Sequence, residues 1–158
     1  MVTYRTVKSY NEGNTLSWAK GRAPRTCLIF LPVRDQTADV RNNIFYRAGD
    51  APLTMINDNG IDRPAGTVIL SHNWFSDGWV NKMEGAGIVQ DDGTTVSGSD
   101  PGFMDLAGQD FRLAANSPCL DQGLPPGFAL DYEYIKHQQG EPRPDDGKVD
   151  IGANEHQA

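Results

Sequence analysis

Long apolar runs are missing from this 158-residue sequence. No stretch approaches the roughly 20 consecutive apolar residues that a membrane-spanning helix needs, so we expect no membrane span. The first ten residues also lack the apolar run of a secretion signal. The P-loop, the glycine-rich dinucleotide fingerprint and the GxSxG nucleophile motif are absent too, which argues against the nucleotide-binding and hydrolase sites that these motifs form.

Helix-length periodicity and cysteine are also scarce. Apolar residues make up 38% of the chain, which has 17 glycines and 10 prolines. This composition, without an amphipathic helical segment, is typical of a β-rich protein with many turns, and the length indicates one domain. Cys27 and Cys119 are the two cysteines. They could form a disulfide if the fold brings them together, but we favour two buried thiols.

The charge of the chain is unevenly distributed. The formal net charge is −7, which disfavours nucleic acid as a partner. Residues 1–34 nevertheless carry six basic side chains against the single acid Glu12, which indicates a possible anion-binding feature. The six are Arg5, Lys8, Lys20, Arg22, Arg25 and Arg34.

An internal repeat indicates the fold. VRNNIFY (Val40–Tyr46) and LSHNWFS (Leu70–Ser76) align at an offset of 30 residues, with Asn43 level with Asn73. VTYRTVK (Val2–Lys8) is a weaker third copy at an offset of 38. Each copy predicts a short strand, a turn at the asparagine and a second short strand, because asparagine tolerates left-handed backbone angles and bonds to nearby backbone. Stacked asparagines are expected to bond to one another.

A further apolar strand is expected in each interval between copies, at Thr26–Val33 and at Pro52–Asn57. Three short strands per repeat are typical of a parallel β-solenoid. This pattern resembles the right-handed parallel β-helices of the pectate-lyase-like superfamily. In that scheme the two apolar segments are first strands. The second strands are Thr37–Asn42 and Gly66–His72, and the third strands are Ile44–Tyr46 and Trp74–Ser76.

The C-terminal third strengthens the resemblance. Its motifs are SDPGFMD (Ser99–Asp105), DFRLAANSPCLDQG (Asp110–Gly123) and VDIGANE (Val149–Glu155), and they resemble the closing segment of many bacterial β-helix proteins. The predicted fold is an all-β, right-handed parallel β-helix of about two to three coils (residues 1–98), with a closing coil and capping tail (residues 99–158) in the same domain. Four apolar side chains are expected to plug the bore of the helix: Phe103, Phe111, Leu113 and Leu120.

The alignment of Val2 with Val40 predicts an open N-terminal end, since the first complete coil then begins near Thr26. An exposed solenoid end invites pairing unless it is capped. Three explanations remain open: the chain is a fragment, residues 11–24 fold over the end, or a partner copy covers it. The third predicts a homo-oligomer whose interface contains Val2, Val7, Leu28 and Phe30.

The resemblance also implies a place for a ligand. Lyases of the superfamily combine a base with positive charge that neutralises a uronate carboxylate, usually beside the first strands. An acidic polysaccharide would there contact a cleft formed by Trp18, Lys20, Arg22, Arg25, Arg34, Asp58 and Arg63. The alternative is a solvated loop, with Trp18 folded onto the core end. Metal-ligand spacing is lacking around the histidines, so we expect no metal or cofactor, although the family's Ca²⁺ remains possible.

Two classes of function follow from the resemblance. The first is a non-catalytic, carbohydrate-associated β-helix module that self-assembles through its open N-terminal end. The alternative is a fragment of a polysaccharide lyase acting on acidic glycans; a glycoside hydrolase is the other enzyme class that the resemblance allows. We rank the module first, because active sites of this fold tend to lie on central coils and because a fold does not determine a function. The resemblance further suggests a secreted or cell-surface protein.

Overall fold

A computed structural model describes residues 8–12, 15–18, 37–47, 54–57, 66–82, 88–128, 131–135 and 139–156. Within these ranges the chain forms fourteen β-strands and no helix, which confirms the predicted all-β class. None of the described segments is therefore a helix with the length and hydropathy that crossing a bilayer requires.

The first ten strands form three parallel sheets, which we call the parallel stack. Two sheets have four strands each, in the orders β1-β3-β6-β9 and β2-β4-β7-β10, and the third pairs β5 with β8. From β3 to β10 the chain therefore visits the three sheets in a repeating order. The strands are β1 (Lys8–Glu12), β2 (Thr15–Trp18), β3 (Thr37–Arg41), β4 (Ile44–Arg47), β5 (Thr54–Asn57), β6 (Thr67–Ser71), β7 (Trp74–Ser76), β8 (Val80–Lys82), β9 (Ile88–Asp91) and β10 (Val96–Gly98).

The register of the stack follows the repeat read from the sequence. Thr37 lies opposite Thr67, so the step between these two strands is 30 residues. The third copy was wrongly placed, however, since Asn11 and not Val2 lies opposite Val40. The apolar match at Val2–Lys8 was misleading because a parallel ladder joins backbone groups and accepts the polar strand KSYNE at its edge.

The core of the stack lies between the sheets. It contains Ala38, Val40, Phe45, Met55, Ile56, Val68, Leu70 and Phe75, each at most 4% exposed. The rings of Phe45 and Phe75 meet edge to face at 5.3 Å between centroids. Because successive side chains of a strand alternate between its faces, Phe45 enters this core while its neighbours Ile44 and Tyr46 face away from it.

The two asparagines of the repeat stack as predicted. Asn43 and Asn73 are both fully buried, and the Asn73 Oδ1 accepts hydrogen bonds from the backbone and side-chain nitrogens of Asn43 at 3.1 and 3.2 Å. The left-handed positions lie one residue earlier than expected, at Asn42 (φ 56°) and His72 (φ 49°). The turn and the buried amide thus belong to successive residues, which fits the two adjacent polar residues in each copy.

The C-terminal third contains two antiparallel hairpins. β11 (Phe103–Asp105) pairs with β12 (Asp110–Leu113), and β13 (Tyr132–Ile135) pairs with β14 (Gln139–Pro142). We call residues 99–156 the closing segment. It packs against the outer face of the sheet that contains β4 and β7, where a second apolar cluster is formed by Ile44, Trp74, Leu113, Cys119 and Ile151, with Tyr46, Phe103 and Leu120 beside it.

The expected plug of the bore is therefore wrong for three of the four residues named. Phe103, Leu113 and Leu120 pack in the second cluster and not in the core of the stack. The fourth, Phe111, stacks edge to face on Phe103, with 5.3 Å between ring centroids. The physical reason lies in β4 and β7: Ile44 and Trp74 give the outer face of their sheet an apolar surface, which is buried when the closing segment lies along it.

Asn42 anchors the closing segment to the stack. Its side chain donates to the Leu124 carbonyl at 2.7 Å and accepts from the Leu124 N–H at 2.8 Å, and its own carbonyl accepts from the Gly152 N–H at 3.0 Å. A tight contact follows at Gly123, where an added Cβ would lie 2.8 Å from the Asp150 carbonyl oxygen. Glycine at this position thus permits the close approach of two parts of the closing segment.

Candidate functional site

Most of the side chains expected to bind a ligand lie outside the described residues. These are Lys20, Arg22, Arg25, Arg34, Asp58 and Arg63. Trp18 is the last residue of the strand β2 and lies opposite Arg47. The predicted interface residues Val2, Val7, Leu28 and Phe30 also lie outside the described ranges. Both sets stay predictions.

A half-open pocket of about 190 Å³ lies between the two hairpins of the closing segment. Its walls combine three carboxylates, a guanidinium and an imidazole, and the charged lining is Arg112, Glu133, Glu141, Glu155 and His156. Glu133 and Glu141 are directly opposite each other on β13 and β14. Two like charges at such a position repel, so another interaction must hold them together.

Arg112 supplies part of the compensating charge. The hydrogen bond and the charge of Asp110 raise the pKa of Arg112, and the charges of Glu141 and Glu133 add to the rise. The guanidinium donates to both carboxylate oxygens of Asp110, at 2.9 and 2.5 Å. Arg112 is therefore already engaged as a bidentate donor beside the pocket.

Glu155 connects the pocket to an ion-pair network. Arg143 donates twice to the Glu155 Oε1, and their side chains are only 10% and 8% exposed. The Glu155 Oε2 accepts from the Asp150 N–H at 2.9 Å, while Glu133 accepts from the Glu155 N–H at 2.9 Å. Burial raises the pKa of Glu155, and the Arg143 guanidinium opposes that rise.

His156 is also held by the network. Its backbone N–H donates to Asp150 at 2.7 Å, and its Nδ1 donates to the Leu113 carbonyl at 3.0 Å. Because a carbonyl only accepts, the Nδ1 is the donor in this hydrogen bond and carries a proton. Among the described residues no group of three or more histidines, cysteines and acids is arranged to hold a metal ion. Most polar atoms of this pocket thus already hold the closing segment together.

Cys119, a residue of the closing segment, is a free thiol. Its side chain is fully buried in the second apolar cluster, and burial raises the pKa of the Cys119 thiol to about 12. Its possible partner Cys27 lies outside the described residues.

We expect Cys119 to resist modification in the folded protein. Since the thiolate is the nucleophile and the pKa lies near 12, a thiol reagent at about pH 8 meets a neutral, buried group. The measurement is the rate of disulfide exchange with an aromatic disulfide reagent in a Cys27→Ser variant, with and without urea. Rapid reaction without denaturant would contradict the burial of this thiol.

The ends of the parallel stack are the other candidate site. β1 and β2 are the first strands of their two sheets, and no described residue pairs with their outer edges. An edge strand presents unpaired N–H and C=O groups that another chain can bind. These edges lie at the end where the sequence predicted an opening.

Comparisons of the chain with protein-family models, with curated proteins and with solved structures found no match.

Sequence reasoning missed the residues that join the closing segment to itself and to the stack. Asn42 carried a detectable signal, because it doubles the asparagine in VRNNIFY where a single turn residue would suffice. Arg143 lies a few residues before the motif VDIGANE, which ends at Glu155, but no local pattern pairs their opposite charges. Glu133 and Glu141 meet only because β13 and β14 form a hairpin.

Proposed function

We propose that the chain forms a right-handed parallel β-helix module, non-catalytic and carbohydrate-associated, that self-assembles through the end formed by β1 and β2. The observation that carries this proposal is the arrangement of the strands. Three parallel sheets are visited in a repeating order around one apolar core, and the outer edges of β1 and β2 are unpaired among the described residues. A module of this kind acts by presenting surfaces and ends.

The carbohydrate part of the proposal rests on charge and on the β-helix resemblance. Residues 1–34 contain six basic side chains and one acid, and β2 ends at Trp18 beside this basic stretch. Lysine and arginine bind carboxylates or sulfates, and an indole face stacks on a sugar ring. An acidic polysaccharide is the glycan class that fits this combination.

Light scattering across a range of protein concentrations tests the assembly. We expect a mass above that of one chain, and we expect Leu28→Asp to return the protein to a monomer because the predicted interface would then bury an unpaired charge. Tyr132→Asp is the matched control, since Tyr132 is 70% exposed on strand β13 of the closing segment. A wild-type protein that stays monomeric at every concentration would overturn self-assembly.

Titration calorimetry with an acidic and a neutral polysaccharide tests the ligand. We expect binding to the acidic polymer only, weakened at least tenfold by the triple change Lys20→Glu, Arg22→Glu and Arg25→Glu. Lys148→Glu, an exposed lysine on the closing segment, is the control. Equal binding by the triple variant would refute the basic stretch as the site. Release of an unsaturated, ultraviolet-absorbing uronate would instead identify the lyase alternative.

A further inference from the structure

Among the described residues, the opposite end of the parallel stack also presents unpaired strand edges. β9 and β10 are the last strands of the two large sheets, and no described residue pairs with their outer edges. Ile88 and Val96 are 53% and 40% exposed there. The closing segment, which the sequence predicted as a cap, packs its second apolar cluster against β4 and β7, and no described residue of β9 or β10 belongs to that cluster.

The outer edges of β9 and β10 present backbone N–H and C=O groups that no described strand pairs with. The Val96 N–H donates to the Asn73 carbonyl at 2.8 Å, and the Gly98 carbonyl accepts from the Asp77 N–H at 2.9 Å. Since alternate residues of a strand in a parallel ladder bond to opposite sides, the backbone groups of Ser97 point outward. The same alternation in β9 turns the backbone groups of Val89 outward, because the Ile88 N–H bonds inward to the Gly66 carbonyl.

The two ends are geometrically complementary. One sheet runs from β1 to β9 and the other from β2 to β10, and all neighbours within them are parallel. A second copy displaced along the stack would therefore bring its β1 against β9 and its β2 against β10 in the direction that the sheets already have. Both ladders would continue without reversal of either strand.

The two ends are also complementary in charge. Residues 88–98, which form β9, β10 and the turn between them, contain the two acids Asp91 and Asp92 and no lysine or arginine. Residues 1–34, which include β1 and β2, contain six basic side chains and one acid. Opposite charges on meeting surfaces favour this pairing of ends, whereas joining two like ends would oppose charges of one sign.

We propose that copies of this chain stack head to tail, with β1 and β2 of one copy continuing the sheets beyond β9 and β10 of the next. This inference rests on the proposed self-assembly and names the surface that receives the β1–β2 end. Such a contact joins two different surfaces and leaves both outer ends free, so it propagates into a filament when no rotation closes a ring. The occupant is a second copy, because its β1 and β2 would meet β9 and β10 in the direction that each sheet already has.

Two variants block one end each. Ile88→Lys with Val96→Lys places positive charge on exposed positions of β9 and β10. Tyr10→Glu with Ser17→Glu places negative charge on β1 and β2, at positions level with Asp39 and Tyr46. Phe128→Lys with Tyr132→Lys is the control, since both residues are exposed on the closing segment. Circular dichroism verifies that each variant keeps its β-structure.

Sedimentation velocity distinguishes the possible contacts. We expect the wild type to form a concentration-dependent series of oligomers that shortens when salt rises from about 0.05 to about 0.5 M, because screening weakens the attraction between the ends. Each end-blocked variant alone is expected to be monomeric, and the control to behave as the wild type. An equimolar mixture of the two blocked variants is expected to give a dimer, since each contributes one unblocked end.

Other outcomes separate this inference from the proposed function. If the variant with Ile88→Lys and Val96→Lys still forms a dimer alone, self-assembly through β1 and β2 stands but the head-to-tail contact is refuted. The head-to-tail contact is also refuted if the wild type associates but the two blocked variants stay monomeric when they are mixed. A wild type that is monomeric throughout overturns both.

Discussion

Replacing Asn73 with alanine is expected to lower the free energy of unfolding by about 3 kcal/mol or more, since a buried polar group left without its partner costs roughly 1–3 kcal/mol. The Asn73 amide donates to the carbonyls of Val40 and Ser71 at 2.8 and 2.9 Å, and its oxygen accepts from the Asn43 backbone N–H. The side chain thereby joins two successive levels of the stack, and alanine can make none of these bonds.

Urea denaturation followed by circular dichroism measures this loss. Thr95→Val is the matched control, because Thr95 precedes β10 as Asn73 precedes β7, but its hydroxyl oxygen is buried without a hydrogen-bond partner. Valine has nearly the same shape and removes an unsatisfied polar atom, so stability is expected to stay equal or to rise. If Asn73→Ala were as mild as Thr95→Val, the buried amide would not stabilise the stack.

Replacing Arg143 with methionine is expected to destabilise the protein by about 3–5 kcal/mol, the usual cost of leaving a buried charge without its partner. The Arg143 and Glu155 side chains are 10% and 8% exposed, and Arg143 also donates to the Ala153 carbonyl at 3.2 Å. Methionine fills part of the space but donates no hydrogen bond. The control is Lys148→Met, which breaks the exposed ion pair with Asp121 and is expected to leave the unfolding midpoint unchanged.

The destabilisation caused by Arg143→Met is expected to depend on pH in one direction. Burial raises the pKa of Glu155 above its ordinary value of 4.5, while Arg143 opposes the rise. The folded protein therefore binds a proton at Glu155 at pH values where the unfolded chain has already lost it. The stability that this proton uptake contributes is fully present below pH 4.5 and is lost as the pH rises through the pKa of the folded state. Without Arg143 that pKa moves further up. The destabilisation by Arg143→Met is thus expected to be smaller at about pH 5 than at about pH 8. The opposite order would contradict a buried, uncompensated Glu155.

The N-terminal register shows where local pattern is insufficient. VTYRTVK matched the later copies in its apolar positions, but the strand that forms is KSYNE. A better guide was the residue before each third strand, because Asn14, Asn43 and Asn73 precede Thr15, Ile44 and Trp74, which share one register. Backbone hydrogen bonds hold the strands of a parallel ladder together, so a strand at the edge of the sheet can be polar where a central strand cannot.

Sequence patterns alone predict the all-β class, the step of about 30 residues, the strands from β3 to β7 and the stacking of Asn43 on Asn73. These follow from side-chain alternation and from a repeat, both of which are local properties. The fold as a whole, and no local pattern, determines that the closing segment packs on the outer face of the sheet with β4 and β7 and that Arg143 meets Glu155. It also determines that no described residue pairs with the outer edges of β9 and β10. Those outcomes depend on contacts between residues that are distant in the chain. The apolar outer face made by Ile44 and Trp74 is buried by Leu113, Cys119 and Ile151 of the closing segment, and no local pattern shows which surface these side chains will cover.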